Sequence, residues 1–300
     1  MKFPKAFPRS FSVKVAALAL ALSAPIAAAA QELRPWMNSE IGQAWSLGFR
    51  GQGTSITVID DFRSGSTYAG NLRGVTERRR HGEWTALEAA MIAPSAKVYT
   101  HDFGNAAAVT LQRGLNTLNL SYGMMAPNGF TSIRWSQRET SIISYARDGR
   151  AVVVKAAGND AVAVGAANAS GLVDYLNRDL TGRQSAIFVG ALNTHGTVAN
   201  KATMAGYSNF AGSNATAQRQ FLVVGVTGNM TNLYGTSFAA PIVSGYASVL
   251  GSKFTRATPT QITNQLLNTA RTDTIAGYAA NIHGRGEASI SRALAPVAIK

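Results

Sequence analysis

No cysteine occurs in these 300 residues. A disulfide framework is therefore excluded, and stability must come from a buried core. Acidic residues are scarce, with 15 Asp and Glu against 28 Lys and Arg, for a net charge of +13. Lys2, Lys5, Arg9 and Lys14 carry four of those charges, which leaves the rest of the chain near +9. Such a balance favours acidic surfaces, lipopolysaccharide or nucleic acid as partners. No nucleic-acid-binding motif accompanies it, so we read a basic protein without a specific polyanion site. No apolar run reaches the ~20 residues needed to span a membrane. There is no repeat, no linker and no composition break. Histidine is limited to His81, His101, His195 and His283.

What is present begins with residues 1–30. A basic start, an apolar run from Val15 to Leu22 and an A-x-A end at Ala28 and Ala30 read as a secretory signal peptide. Cleavage is expected before Gln31, releasing a secreted or periplasmic protein with no stable membrane insertion. About 270 residues remain, enough for one large domain over 31–300.

Along that stretch, β-rich runs alternate with helical ones. Strands are expected at 55–59, 96–103, 116–123, 151–160, 185–192 and 220–226. Helices are expected at 38–48, 81–94, 131–148, 172–180, 238–250, 259–270 and 287–294, and 63–80 reads as a polar loop. The alternation argues an α/β fold with a mostly parallel, doubly wound sheet and helices on both faces.

The stretch GTSFAAP (235–241) places Ser237 at the start of an apolar helix. Helix starts leave N–H groups unpaired and carry partial positive charge, which suits a serine that gains negative charge in a reaction. Serine at a helix start is also an ordinary cap, so the rest of the chain must supply a base, an orienting acid and an oxyanion donor. His81 follows a loop and opens a helix. Asp60 and Asp61 end a strand, where open α/β sheets place their sites. Strand alternation lets only one of the two face His81. Asn159 follows Gly158 in a glycine turn, a context that also suits a plain turn residue.

With these segments in view, the chain resembles the subtilases, the subtilisin-like serine peptidases. ITVIDDF resembles the family's aspartate segment, HG at 81–82 its histidine segment, and NLSYG (119–123) its substrate-pairing strand. VVKAAGN (153–159) resembles the oxyanion segment, YSNFAG (207–212) the loop before the serine segment, GTSFAAPIVSG (235–245) the serine segment and HGRGEAS (283–289) the closing turn and final helix. The order Asp, His, Asn, Ser is the family's order.

The resemblance implies a three-layer subtilisin-like fold and an endopeptidase acting on proteins or peptides through an acyl-enzyme. It implies Ser237 as nucleophile, His81 as general base and acid, Asp60 as its orienting acid and Asn159 as oxyanion donor. Ser121, Tyr122 and Gly123 would pair with substrate, and Ala156, Ala157 and Gly158 would wall the specificity pocket.

Some positions depart from the family pattern. Phe62 stands where glycine is usual, and Glu83 and Trp84 replace a threonine-histidine pair. The His81–Pro94 stretch lacks the loop that often binds calcium, so no calcium or other cofactor site is carried over. The resemblance starts almost at Gln31, which leaves no room for a propeptide, and the exported chain is expected to begin there. Arg78, Arg79 and Arg80 precede His81; they read as a solvated loop or, more sharply, as a self-cleavage or substrate-excluding segment.

Two other functional classes compete with the peptidase. One is a catalytically silent subtilase-fold binding protein, in which Ser237 would not react with a fluorophosphonate. The other is a carboxyl peptidase of the sedolisin type, which places Glu and Asp where this chain has His81 and Asn159 and works at acid pH.

Overall fold

The computed structural model describes residues 32–299; the signal peptide expected over 1–30 lies outside the described residues. Six runs rich in β-branched and apolar residues form strands. They are β1 (Thr54–Asp60), β2 (Lys97–Asp102), β3 (Leu115–Leu120), β4 (Val152–Ala156), β5 (Ala186–Leu192) and β6 (Phe221–Gly225). All pair in parallel, in the order β6-β5-β4-β3-β1-β2.

Every residue of β1, β4, β5 and β6 is buried. Parallel strands covered on both faces read as continuous apolar runs rather than alternating ones. The alternation survives in where the side chains go. Val152, Val154 and Ala156 enter one core with Ile187, Val189, Leu222 and Val224. Val153 and Ala157 enter the other with Phe188, Phe221 and Val223. The first core is closed by the histidine helix, His81–Ile92, and the serine helix, Ala239–Lys253. The second is closed by the helices Gln137–Asp148 and Tyr175–Leu180. This is an α/β fold with helices on both faces.

The strand order fixes the place of the site. From β1 the chain steps outward to the edge strand β2, then returns across β1 to β3 and continues the other way. The order therefore reverses between β1 and β3. Ligands of open α/β sheets bind beyond the carboxyl ends of strands at such a reversal. Asp60 is the last residue of β1, and Ser121 is the first after β3.

Several local expectations need correction. Residues 63–80 are not only loop: Tyr68–Gly70 and Glu77–Arg79 pair as an antiparallel hairpin, Tyr68 opposite Arg79. The helix expected from 131 begins at Gln137, because the Ser136 side chain accepts the Arg138 N–H and caps it there. Part of 172–180 is strand, with Leu172–Asp174 pairing against Met125–Pro127 before the helix starts at Tyr175. Strands of three residues are too short to show a period in sequence.

Candidate active site

Asp60 is buried to 1% exposure, and three donors surround its carboxylate. Oδ1 accepts from His81 Nδ1 at 2.7 Å and from the Asp61 N–H at 2.7 Å. Oδ2 accepts from Thr85 Oγ1 at 3.0 Å, one turn further along the histidine helix. Against a carboxylate, Nδ1 carries the imidazole proton, so Nε2 presents its lone pair.

Asp61 turns the opposite way. Its carboxylate accepts the Arg63 N–H at 3.2 Å, the Ser64 N–H at 2.8 Å and the Ser64 hydroxyl. The Ser64 hydroxyl is the largest cause holding the Asp61 pKa below its ordinary 3.8. Asp61 thus organises a tight turn, and Asp60 alone of the pair contacts His81.

The departures at 62, 83 and 84 acquire local roles. A Cβ at position 82 would stand 2.7 Å from the Asp61 carbonyl and 2.8 Å from the Phe62 ring, so only glycine fits there. Glu83 accepts the Arg80 N–H at 2.8 Å, closing the first turn of the histidine helix. Trp84 is fully buried, and its indole N–H donates to the Tyr68 carbonyl at 2.9 Å. That bond ties the hairpin to the helix. Arg78 bonds Thr67, Arg79 pairs with Glu77, and Arg80 bonds Glu83 and the Ser64 carbonyl. The three arginines are hairpin and cap residues. The His81 ring lies between Tyr68, at 6.1 Å edge-on, and Phe238, at 5.5 Å.

The other half of the site rests on neutral groups. A 3₁₀ turn, Thr236–Phe238, leads into the serine helix. Ser237 Oγ donates to the Ser121 carbonyl at 3.3 Å; among the described residues no hydrogen bond joins it to His81. The Ser121 hydroxyl donates to the Ser237 carbonyl at 2.8 Å. Behind it, Asn119 Nδ2 donates to Ser121 Oγ at 3.0 Å, and Ser244 Oγ donates to Asn119 Oδ1 at 3.0 Å. Asn119 and Ser244 are both fully buried.

Asn159 Oδ1 accepts the Thr236 N–H at 2.8 Å and the Thr236 hydroxyl at 3.0 Å. A backbone N–H can only donate, so the carboxamide orientation is fixed and Nδ2 is left over as a donor. Asn209 clamps the loop beneath. Its Oδ1 accepts the N–H groups of Asp160 (2.9 Å) and Val162 (3.1 Å), and its Nδ2 donates to the Ala157 carbonyl at 3.0 Å. Gly158 sits at φ +113, with Asn209 Nδ2 only 2.3 Å from where a Cβ would stand. Residue 158 must be glycine on both counts.

Ser237 and Asn159 line one cavity of about 310 Å³, together with Ser121, Tyr122, Gly123, Ala156 and Gly158. Ala157 does not. Alternation along the strand sends its side chain into the second core, fully buried, and only its carbonyl serves the loop. Sequence reasoning missed Thr85, Asn119, Asn209 and three further cavity residues, Lys155, Asp174 and Asn177. One signal was available: Lys155 interrupts an otherwise apolar strand.

The other histidines stand apart. His195 and His283 are held by backbone groups, and burial lowers both pKa values. His101 bonds the Asn105 carbonyl on the exposed sheet edge. Among the described residues no group of three or more His, Asp or Glu could hold a metal ion, and no helix is long and apolar enough to cross a membrane.

The family model for the subtilase family matches residues 63–286. None of the curated proteins matches the chain. Among solved structures, the chain is similar to the prenylagaramide maturation protease PagA at 19% identity and TM-score 0.53, covering 85% of this chain and 96% of that one. It is similar to the MycP3 protease of the type VII (ESX-3) secretion system at 21% identity and TM-score 0.53, covering 85% of each. MycP1 of the ESX-1 system follows at 20% identity and TM-score 0.52, covering 88% of this chain and 86% of that one. At these identities the likeness concerns the fold.

Proposed function

The chain belongs to the subtilase family, and on that premise we propose that this serine-type peptidase is an exported endopeptidase whose triad is Asp60, His81 and Ser237. Residues 1–30 would direct export. Its substrates are proteins or peptides, laid along Ser121–Gly123 as an added strand. The observation that carries the reading is the 2.7 Å contact between Asp60 and His81 beside a cavity that holds both Ser237 and Asn159.

The reaction begins when the Ser237 hydroxyl turns from the Ser121 carbonyl toward His81 Nε2. Catalytic hydrogen bonds of this kind are often long or misdirected until substrate is bound. Oγ bonds to the scissile carbonyl carbon as its proton passes to Nε2, and Asp60 steadies the resulting imidazolium. The oxyanion meets Asn159 Nδ2 and the Ser237 N–H at the helix start. Collapse breaks the C–N bond, and His81 hands its proton to the leaving amine. Water then repeats the sequence to release the acid and restore Ser237. The base, the nucleophile and the oxyanion donors in these steps are all groups of the chain itself, and water is the second nucleophile.

A fluorophosphonate probe tests this. Labelling is expected on Ser237 in the wild-type protein and absent in a folded Ser237→Ala variant. A folded wild-type protein that neither takes the probe nor cleaves a denatured protein substrate would refute the catalytic reading and leave a silent binding cleft.

A further inference from the structure

We propose that the cavity beside Ser237 selects a glutamine or asparagine side chain on the acyl side of the cleaved bond, through Lys155, Asp174 and Asn177. The inference rests on the peptidase reading above and names the substrate class of that same site.

Lys155 is 1% exposed although it carries an ammonium. Its Nζ meets Asp174 Oδ2 at 2.9 Å and the Ala156 carbonyl at 2.7 Å. An ammonium has three N–H donors, and the third has no partner among the described residues. Asp174 spends Oδ1 on the N–H groups of Met124 (3.0 Å) and Leu176 (3.1 Å). Its Oδ2 sits 3.1 Å from where a Cβ on Gly123 would stand, directly under the substrate-pairing segment. Asn177 is fully buried. Its Nδ2 is committed to the Ala157 carbonyl at 3.0 Å, while its Oδ1 has no partner. All three residues line the same cavity as Ser237 and Asn159.

Asn177 Oδ1 and the third Lys155 N–H thus lack partners at the wall of the cavity, next to a charge pair that already neutralises itself. Oδ1 is closed to solvent, so a side chain that bonds it must shift the wall slightly. Each class of side chain can be set against that inventory. An apolar one would leave both groups without partners, at about 1–3 kcal/mol for a buried orphan. A charged one of either sign meets one like and one opposite member of the Lys155–Asp174 pair. It finds in the cavity, among the described residues, no free buried counter-charge to offset its desolvation. Asp160, a further and exposed cavity carboxylate held by Asn168, weighs against an anion. A primary amide is neutral and carries an N–H₂ for Asn177 Oδ1 and a carbonyl for Lys155. Sites built to hydrogen-bond a substrate group reject analogues that lack it far more strongly than apolar pockets reject a change of size.

The test is a series of internally quenched peptides that differ only at the acyl-side residue: Gln, Asn, Met, Leu, Lys and Glu. Met and Leu approximate the shapes of Gln and Asn without their polar atoms. We expect kcat/KM for the better amide to exceed its apolar counterpart by about tenfold or more, with Lys and Glu lower still. In Asn177→Leu that ratio should fall toward one. The wild-type series stands alone should that variant fail to fold. Fluorophosphonate labelling of Ser237 with Met or Leu cut as fast as the amides, or with Lys or Glu preferred, overturns the amide preference and leaves the peptidase intact. A persistent amide preference in folded Asn177→Leu overturns the role of Asn177. Absence of both labelling and cleavage overturns the two readings together.

Discussion

Ser237 stands at the head of a helix of which fourteen of fifteen residues are buried. His81 begins a helix whose first turn meets a surface hairpin and solvent. The supports differ in the same way. Around Ser237 and Asn159 the contacts come from amides, hydroxyls and backbone groups: Asn119, Ser121, Ser244, Thr236 and Asn209. Around His81 they come from charges: Asp60 beneath the ring, then Arg80 with Glu83 and Arg79 with Glu77 toward the rim. A neutral network in a dry core is indifferent to salt and to moderate pH. Half-exposed ion pairs contribute little and are screened. The histidine half thus rests on one buried charge, whereas the serine half spreads its support over many weak groups. Single substitutions should expose that asymmetry.

The largest effect among positioning residues belongs to Asp60. Asp60→Asn keeps the shape and removes the charge that fixes the imidazole tautomer, so kcat should fall on the order of a thousandfold to ten-thousandfold. Asp61→Asn, one residue on, should change kcat by less than about threefold and act on the stability of the 61–64 turn instead. Steady-state kinetics on the same peptide compare them. Equal losses would mean that the turn, and not the buried carboxylate, governs His81.

Next in size is Asn159→Ala on the serine side. Losing one oxyanion donor lowers kcat by about 10²–10³ with KM nearly unchanged; the reference for that range is itself a subtilase. Asn209→Ala is smaller in rate but broader in kind. It leaves the Asp160 and Val162 N–H groups without their acceptor, so the loop carrying Asn159 loosens. We expect kcat to fall about tenfold and thermal stability to drop by about 1–3 kcal/mol for the orphaned groups. If Asn159→Ala is made first, the added Asn209→Ala step should cost little further rate, since both act through one amide. Full additivity would contradict that coupling.

This asymmetry also governs what the sequence could disclose. The parallel sheet was legible because burial on both faces turns each strand into an apolar run, and the serine segment because glycine, hydroxyls and a buried helix occur together. Asp60 could be narrowed only to one of two adjacent carboxylates. Alternation says that one must face His81, but which one depends on the Ser64 turn that captures Asp61. The hairpin at 68–79 was hidden, since its strands are only three residues long and are held by Trp84 from another element. Asn209, Asn119 and Asn177 were hidden for a different reason. Buried amides look like loop or strand polar residues until their partners, 20 to 125 positions away, are known.

The smallest expected effect on rate comes from Glu88, on the histidine helix two turns beyond His81. It is buried, Oε2 has no hydrogen-bond partner, and burial pushes its pKa well above the ordinary 4.5. A carboxyl raised in the folded state favours folding in its protonated form. Its contribution is complete below the unfolded value and is lost as pH rises through the folded one. Glu88→Gln keeps the shape and removes the titration. The variant should match wild type near pH 4 and gain on it steadily from pH 5 upward, by about 2–4 °C in Tm for each kcal/mol released. kcat should stay within about twofold, because Glu88 touches neither Asp60 nor His81. The serine helix, buried without a single carboxylate, has no position where the same change would give a pH-dependent gain. A Tm difference that stays flat between pH 4 and 8 would show that Glu88 ionises freely in the folded protein.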